Sequence, residues 1–390
     1  MTSHIMPTYA RLAVTFEKGE GAWLWDDKNQ RYLDALSGIA VCNLGHAHPA
    51  VHTAICEQSA KLLHTSNLYQ IKSQEKLADK LIEMSGMTNV FFSNSGAEAN
   101  EVAIKLARKF GHSKGIEKPA IIVMDKSFHG RTLATLSATG NAKIQHGFEP
   151  LVEGFVRVPY NDISAIKTVL SENKSITAIL VEPVQGEGGV NIPASDYLNQ
   201  IRTLCDEYDI LMMLDEIQTG IGRTGKFLAF QHNNILPDVC TLAKALGNGV
   251  PIGACLASGK AADIFTAGNH GSTFGGNPLA CSAGLAVLNT LSESDLITQA
   301  AEKGDVICAA FKEKLQTNSH VLNIRHLGLM IGIELDITCT ELVGKALNTG
   351  LLINITQDKV IRLLPPLVID NDQITQLVDT LSTLIQEYTQ

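Results

Sequence analysis

A chain of 390 residues, 45% hydrophobic and 18% charged, is long enough for two or three domains, or for one large core with an appendage. Its net charge of −9 gives no electrostatic footprint for nucleic acid or an anionic membrane, and it has no run of about 18 apolar residues to span a bilayer. Eight cysteines without Cys-x-x-Cys spacing argue against disulfides and structural zinc; with no signal peptide visible, a cytoplasmic protein is expected.

In chain order, residues 20–45 read as short strands and turns, with strands near 21–25 and 32–34 around a polar turn at 26–29. His46 and His48 follow in Leu44-Gly-His-Ala-His-Pro49; two histidines at i, i+2 without cysteine or a carboxylate cluster make a poor metal site, so both read as structural and no metal is expected. From about 48 to 275, helical and strand patterns alternate. Val90-Phe-Phe92 leads into Ser93-Asn-Ser-Gly96, and Ala99, Val102, Ala103, Leu106, Ala107 and Phe110 then keep a helical period. Apolar runs at 120–124, 176–181, 210–214 and 239–243 predict buried strands. Strands separated by helices imply a large, mostly parallel sheet covered on both faces. After 280 the pattern becomes helix, short strands at 331–335 and 360–364, and a closing amphipathic helix at 372–388. The expected architecture is an N-terminal arm with part of a small domain (1–47), a large α/β domain (48–279) and the rest of a small α+β domain (280–390).

Two strands end in informative residues. The run at 210–214 closes on Asp215, and the run at 239–243 closes on Lys244 before a glycine-rich turn. In α/β proteins ligands bind at strand ends. An amine and a carboxylate presented there suit the two ends of pyridoxal phosphate (PLP), the amine attaching covalently and the carboxylate keeping the pyridine nitrogen protonated. Taken singly, an N-cap and a solvated lysine are the plain alternatives. Gln218, three residues beyond Asp215, is close enough to reach a ring hydroxyl.

Other segments have a functional and a plain reading. Ser93-Asn-Ser-Gly96 at a helix start is an anion site or a simple N-cap. In Ser127-Phe-His-Gly-Arg131 the phenyl ring suits a flat cofactor and the guanidinium a carboxylate, or they are a core Phe and a surface Arg. Glu182-Pro-Val-Gln-Gly-Glu187 places two carboxylates in a turn after a strand, for acid–base or ion-pair work or merely as a surface turn. Gly271-Ser-Thr-Phe-Gly-Gly-Asn-Pro278 offers hydroxyls to a phosphate or substrate, or is punctuation before a helix.

Together these motifs resemble the class-III (ω-type) aminotransferases of PLP fold type I. The matching stretches include Asn94-Ser-Gly96, Phe128-His-Gly-Arg-Thr132, Leu214-Asp-Glu-Ile-Gln218, Thr241-Leu-Ala-Lys-Ala-Leu-Gly247, Ser272-Thr-Phe-Gly-Gly-Asn277 and Val360-Ile-Arg-Leu-Leu-Pro-Pro366, in family order over nearly the whole chain. The resemblance implies that Lys244 carries PLP and moves the reacting proton, Asp215 pairs with the ring nitrogen, Gln218 meets the ring hydroxyl and Phe128 stacks on the ring. Ser95, Gly96 and Ala97 would hold the phosphate with Thr273 of a second copy, which implies a homodimer. Arg131 and Ser272 would bind substrate, and Glu187 would pair with Arg362 and swing aside for one substrate. Ala97 stands where relatives often carry Thr and Asn248 where they often carry Gly, which implies weaker cofactor retention and a turn that survives because Asn tolerates positive φ.

Within the family the chain is most similar to the acetylornithine group, implying N2-acetylornithine and 2-oxoglutarate as substrates. Ile39, where ornithine enzymes place a Tyr, the short N-terminal arm and the stretch 351–366 favour that group. N-succinyl-diaminopimelate, succinylornithine or 4-aminobutyrate transamination, an aminomutase and a non-catalytic PLP protein are the alternatives.

Overall fold

The structure, a computed structural model, describes residues 4–390; the first three residues of the expected N-terminal arm lie outside the described residues. Fifteen strands are named in chain order. They are β1 (Phe16–Glu20), β2 (Trp23–Asp26), β3 (Arg31–Asp34), β4 (Asn89–Ser93), β5 (Ala120–Met124), β6 (Phe155–Val158), β7 (Ile176–Val181) and β8 (Leu211–Asp215). β9 (Val239–Leu242), β10 (Gly253–Ala257), β11 (Val321–Leu327), β12 (Met330–Leu335), β13 (Leu351–Leu352), β14 (Asn354–Thr356) and β15 (Val360–Leu363) complete the set.

The central sheet has seven strands in the order β4-β10-β9-β8-β7-β5-β6. β5 through β9 run parallel, and every residue of β5, β7, β8 and β9 is buried, as expected for strands covered on both faces. β10 is the exception to the parallel reading. It lies antiparallel to both β4 and β9, so β4 points the same way as the parallel set. The C-terminal ends of β4, β5, β7, β8 and β9 therefore open on one edge, where ligand sites of such sheets form.

Each of these ends leads into a different motif. β4 feeds the helix Gly96–Ser113, whose buried residues include Ala99, Val102, Ala103, Leu106, Ala107 and Phe110 together with Asn100. β5 leads to Phe128, β7 to Glu182, β8 to Asp215 and β9 to Lys244. Two four-stranded sheets flank this core, β1-β2-β3-β13 and β11-β12-β15-β14. In the first, β13 lies parallel to β3 with Leu351 opposite Leu33, so segments from both ends of the chain share one sheet. The second is antiparallel and sets Arg362 of β15 across from Asn354 of β14 and Gly332 of β12. The closing helix, Asn371–Tyr388, begins in a capping box: Asp370 accepts from the Gln373 backbone and Gln373 from the Asp370 backbone.

Candidate active site

A cavity of about 460 Å³ lies at the common strand edge. It brings together Ser95, Gly96, Ala97, Phe128, Arg131, Glu187, Asp215, Gln218 and Lys244 from five separate chain segments.

Lys244 follows β9 with φ at +46°, which turns the chain sharply into a short 3-10 turn. Burial, and then the nearby Arg362 charge, lower its pKa, so its amine loses its proton more readily than an ordinary lysine. Asn248, four residues on, does take positive φ (45°). Its side chain accepts from Leu44 N (2.9 Å) and donates to the Gly45 carbonyl (3.0 Å), so it also ties this turn to the N-terminal segment.

Asp215 is buried, and its two oxygens are used unequally. Oδ2 accepts from Asn100 Nδ2 (2.8 Å) and His129 Nδ1 (2.7 Å), whereas Oδ1 accepts only from the Ile217 amide (3.1 Å). A carboxylate oxygen has room for two donors, so Oδ1 keeps one acceptor position. His129 is buried and its Nε2 has no partner, which fits an imidazole carrying its proton on Nδ1, toward Asp215.

Ser95 caps the helix Gly96–Ser113 by accepting from Glu98 N (3.2 Å). The amides of Gly96 and Ala97 have no intrahelical acceptor by position, leaving donors and the positive end of the helix dipole at the cavity wall. Gly96 lets Ile217 pack closely against the helix start, since a Cβ there would sit 2.7 Å from the Ile217 side chain. The Phe128 amide donates to Glu182 (3.1 Å), and the Arg131 guanidinium lies 5.8 Å from the Phe128 ring centre. Burial, and then the Asp215 carboxylate, push Glu182 well above the usual carboxyl range.

Arg362, 1% exposed, lies behind Glu187 and Gln218, which line the cavity. It donates to Glu187 (2.6 Å) and Gln218 (3.3 Å) and, through Nε and Nη2, to its cross-strand neighbour Asn354 (3.1 and 2.7 Å). Gly186 lets Gln218 approach this closely, since a Cβ there would overlap Gln218 Oε1. Ser272 and Thr273 lie elsewhere. They line a neighbouring cavity of about 380 Å³ with Asn94 and Glu98, Ser272 accepting from Asn94 Nδ2 (3.3 Å) and Thr273 exposed. Glu182 was read from the sequence only as one of a carboxylate pair, and Asn100, His129 and Asn354 were not singled out as site residues. Asn100 and His129 lie inside or beside motifs recognised there, but their partner Asp215 sits far away along the chain.

A carboxylate oxygen with a vacant acceptor position, a lysine with lowered pKa, a ring on the cavity wall and free helix N-terminal amides match the nitrogen, aldehyde, face and phosphate of PLP. Among the described residues no group of three or more metal-ligating side chains occurs.

The family model for class-III aminotransferases matches residues 5–385. This chain belongs to that family. Class-III aminotransferases are PLP-dependent enzymes of fold type I, and the chain shares both features. It is 58% identical to an acetylornithine aminotransferase of Nitrosomonas europaea, over 98% of both chains, and 48% identical to one of Aquifex aeolicus, over 98% of this chain and all of the other. Among solved structures, an ornithine aminotransferase of Toxoplasma gondii superposes with a TM-score of 0.95 at 33% identity, covering 99% of this chain and 93% of the other. An acetylornithine aminotransferase of Elizabethkingia anophelis superposes with a TM-score of 0.88 at 35% identity, covering 98% and 96%. Among the described residues of this class-III chain, no helix is long and apolar enough to cross a membrane.

Proposed function

We propose that this aminotransferase moves the δ-amino group of N2-acetylornithine to 2-oxoglutarate, giving N-acetylglutamate 5-semialdehyde and glutamate in arginine biosynthesis. The observation that carries this reading is 45–58% identity, over nearly full length, to relatives named acetylornithine aminotransferase. Ile39 supports it. This apolar side chain stands where ornithine enzymes place a Tyr for the free α-amino group, and an acylated amine needs no such partner.

PLP, when bound, supplies the electron sink that lets a proton leave the amine-bearing carbon. Lys244 would hold the cofactor covalently, and its amine, with lowered pKa, would shuttle that proton. Asp215 would offer the free position on Oδ1 to the ring nitrogen, Gln218 would meet the ring hydroxyl and Phe128 would lie against the ring. Ser95 and the amides of Gly96 and Ala97 would take the phosphate. Arg131 would bind the substrate carboxylate, whereas Ser272, on the loop that bears Thr273, would come near substrate only from a second copy.

Arg362 and Glu187 explain how one pocket serves two substrates. With Glu187 across it, Arg362 is neutralised and tolerates the acylated donor. With Glu187 aside, it is free to take the second carboxylate of 2-oxoglutarate. Glu187 is the mobile member, because its side chain is 38% exposed whereas that of Arg362 is 1% exposed and held by Asn354.

A homodimer and a cytoplasmic location complete the reading. Leu68, Tyr69 and Phe274 are exposed around the loop bearing Ser272 and Thr273, and Asn67 ties the two segments by donating to Ser272 O (3.0 Å) and Gly275 O (2.9 Å). A second copy covering this apolar surface would bring Thr273 toward its neighbour's phosphate site. All eight cysteines are free, as in a reducing compartment.

The decisive experiment follows the visible spectrum of the purified protein during titration with N2-acetylornithine. Bleaching of the bound-cofactor band, reversed by 2-oxoglutarate, is expected. A band that ignores N2-acetylornithine but bleaches with 4-aminobutyrate or succinylornithine would reassign the donor.

A further inference from the structure

We infer that Asn100 is a positioning residue, fixing the distance between the helix that holds the cofactor phosphate and the carboxylate that meets the cofactor ring. The inference rests on the cofactor placement proposed above.

Asn100 lies four residues past Gly96 on the buried face of the helix Gly96–Ser113, where its neighbours Ala99, Val102 and Ala103 are apolar. An apolar residue would pack there without difficulty, and a buried amide is unfavourable unless its bonds are made. They are made. One Nδ2 hydrogen goes to the His129 carbonyl (2.8 Å) and the other to Asp215 Oδ2 (2.8 Å), while Oδ1 accepts from the Thr241 hydroxyl (2.8 Å).

The amide can point only one way. Reversed, its oxygen would face a carbonyl oxygen and a carboxylate oxygen at 2.8 Å, and its nitrogen would face a hydroxyl now turned to accept. The His129 carbonyl and the Asp215 carboxylate thus orient the amide, Thr241 satisfies its oxygen, and the amide anchors the carboxylate. Thr241 lies in β9 beside Asp215 in the sheet register and three residues before Lys244. The phosphate helix, the ring-facing carboxylate and the lysine-bearing strand are therefore joined through one fully buried side chain. Occupation of Oδ2 by Asn100 and His129 also leaves Oδ1 as the oxygen available to the ring.

The test uses full-length protein and PLP itself. The dissociation constant of PLP, the absorption spectrum of the bound cofactor and the melting temperature of the cofactor-free protein are measured for wild type, Asn100→Val, Thr241→Val and Thr241→Ser. Loss of a buried hydrogen bond to a charged group predicts roughly tenfold or weaker PLP binding in Asn100→Val and an altered bound spectrum. Thr241→Val should shift both readouts in the same direction, and Thr241→Ser, which keeps the hydroxyl, should return affinity to within about twofold of wild type. Wild-type affinity and spectrum in both valine variants would overturn the inference, even with a lowered melting temperature, because that pattern belongs to a purely structural residue. If Asn100→Val does not fold, the two Thr241 variants decide alone. A wild-type protein that binds no PLP would overturn the cofactor reading itself, a result distinct from any difference among variants.

Discussion

Glu187 and Arg362 meet at 2.6 Å with unequal freedom, and that inequality can be measured. Glu187→Gln removes the negative charge but keeps the shape, leaving Arg362 charged toward the acylated donor. A hydrogen-bonded charge of this kind is worth about 1.5–3 kcal/mol, so KM for N2-acetylornithine should rise roughly tenfold or more. KM for 2-oxoglutarate should change by less than about threefold, since it meets Arg362 with Glu187 absent. Equal loss in both half-reactions, measured by single-turnover kinetics, would reject the switch. A second prediction concerns Ile39, which sits at φ +65° between Gly38 (65°) and Ala40 (58°) in a left-handed turn that begins at Ser37 (45°). Such a conformation costs a β-branched residue about 1–2 kcal/mol, part of which glycine would lose again to chain entropy. Ile39 is 37% exposed, so most of its surface is covered and its removal forfeits burial of a size similar to the strain. Ile39→Gly should therefore leave the urea-unfolding free energy within about 1 kcal/mol of wild type. A larger loss would show that the side chain contributes more than the turn strains.

Between elements, β3 and the turn after it are joined by an ion pair. Asp34, at the end of β3, accepts from the Leu36 and Ser37 amides through Oδ1 and meets His46 Nε2 at 2.8 Å through Oδ2. Burial opposes the imidazolium, but its contacts with Asp34 and Cys42 outweigh that and raise its pKa to about 9. The folded value exceeds the ordinary 6.5, so the folded state binds the extra proton between these values. Its contribution is complete below pH 6.5 and is lost as pH rises to 9, an effect on the order of 3 kcal/mol. Urea unfolding of wild type against His46→Gln at pH 6 and 9 should show the two converging at the higher pH; a constant difference would refute it. Legibility from sequence also divides by element. β5, β7, β8 and β9 were readable because each is a short, predominantly apolar run, and Asp215 and Lys244 stood out at the ends of two of them. β10 escaped notice: Gly-Ala-Cys-Leu-Ala has small residues of weak strand preference, held in place by neighbours on both sides. β6, half-buried at the sheet edge, lacked a clear apolar signal. Asn100 and His129 were visible as letters but not as partners of Asp215, which lies 115 and 86 residues further along the chain.

Across the whole molecule, Arg223 is the main tie. It is fully buried and donates to four neutral acceptors: the carbonyls of Leu329 and Pro365, Ser37 Oγ and Asn43 Oδ1. Burial lowers its pKa to about 9, despite the more distant Asp34. One side chain thus joins the loop after β8 to the N-terminal turn and to the sheet formed by β11, β12, β15 and β14. Arg223→Met leaves these acceptors unsatisfied and should cost about 3–5 kcal/mol of stability, measured by urea unfolding. Backbone amide exchange should quicken most across residues 37–44. Uniform quickening would mean that Arg223 stabilises the fold generally, without holding that segment.

The pairing of Leu33 with Leu351 imposes an order in time as well as in space. At a ribosomal rate of roughly 5–20 residues per second, the two partners leave the ribosome about 15–60 s apart. Throughout that interval β3 has β2 on one side and an open row of backbone donors and acceptors on the other. The nascent N-terminal meander is therefore a strand-pairing template awaiting its own C-terminal segment, and whatever shields that edge during synthesis protects the yield of the folded enzyme.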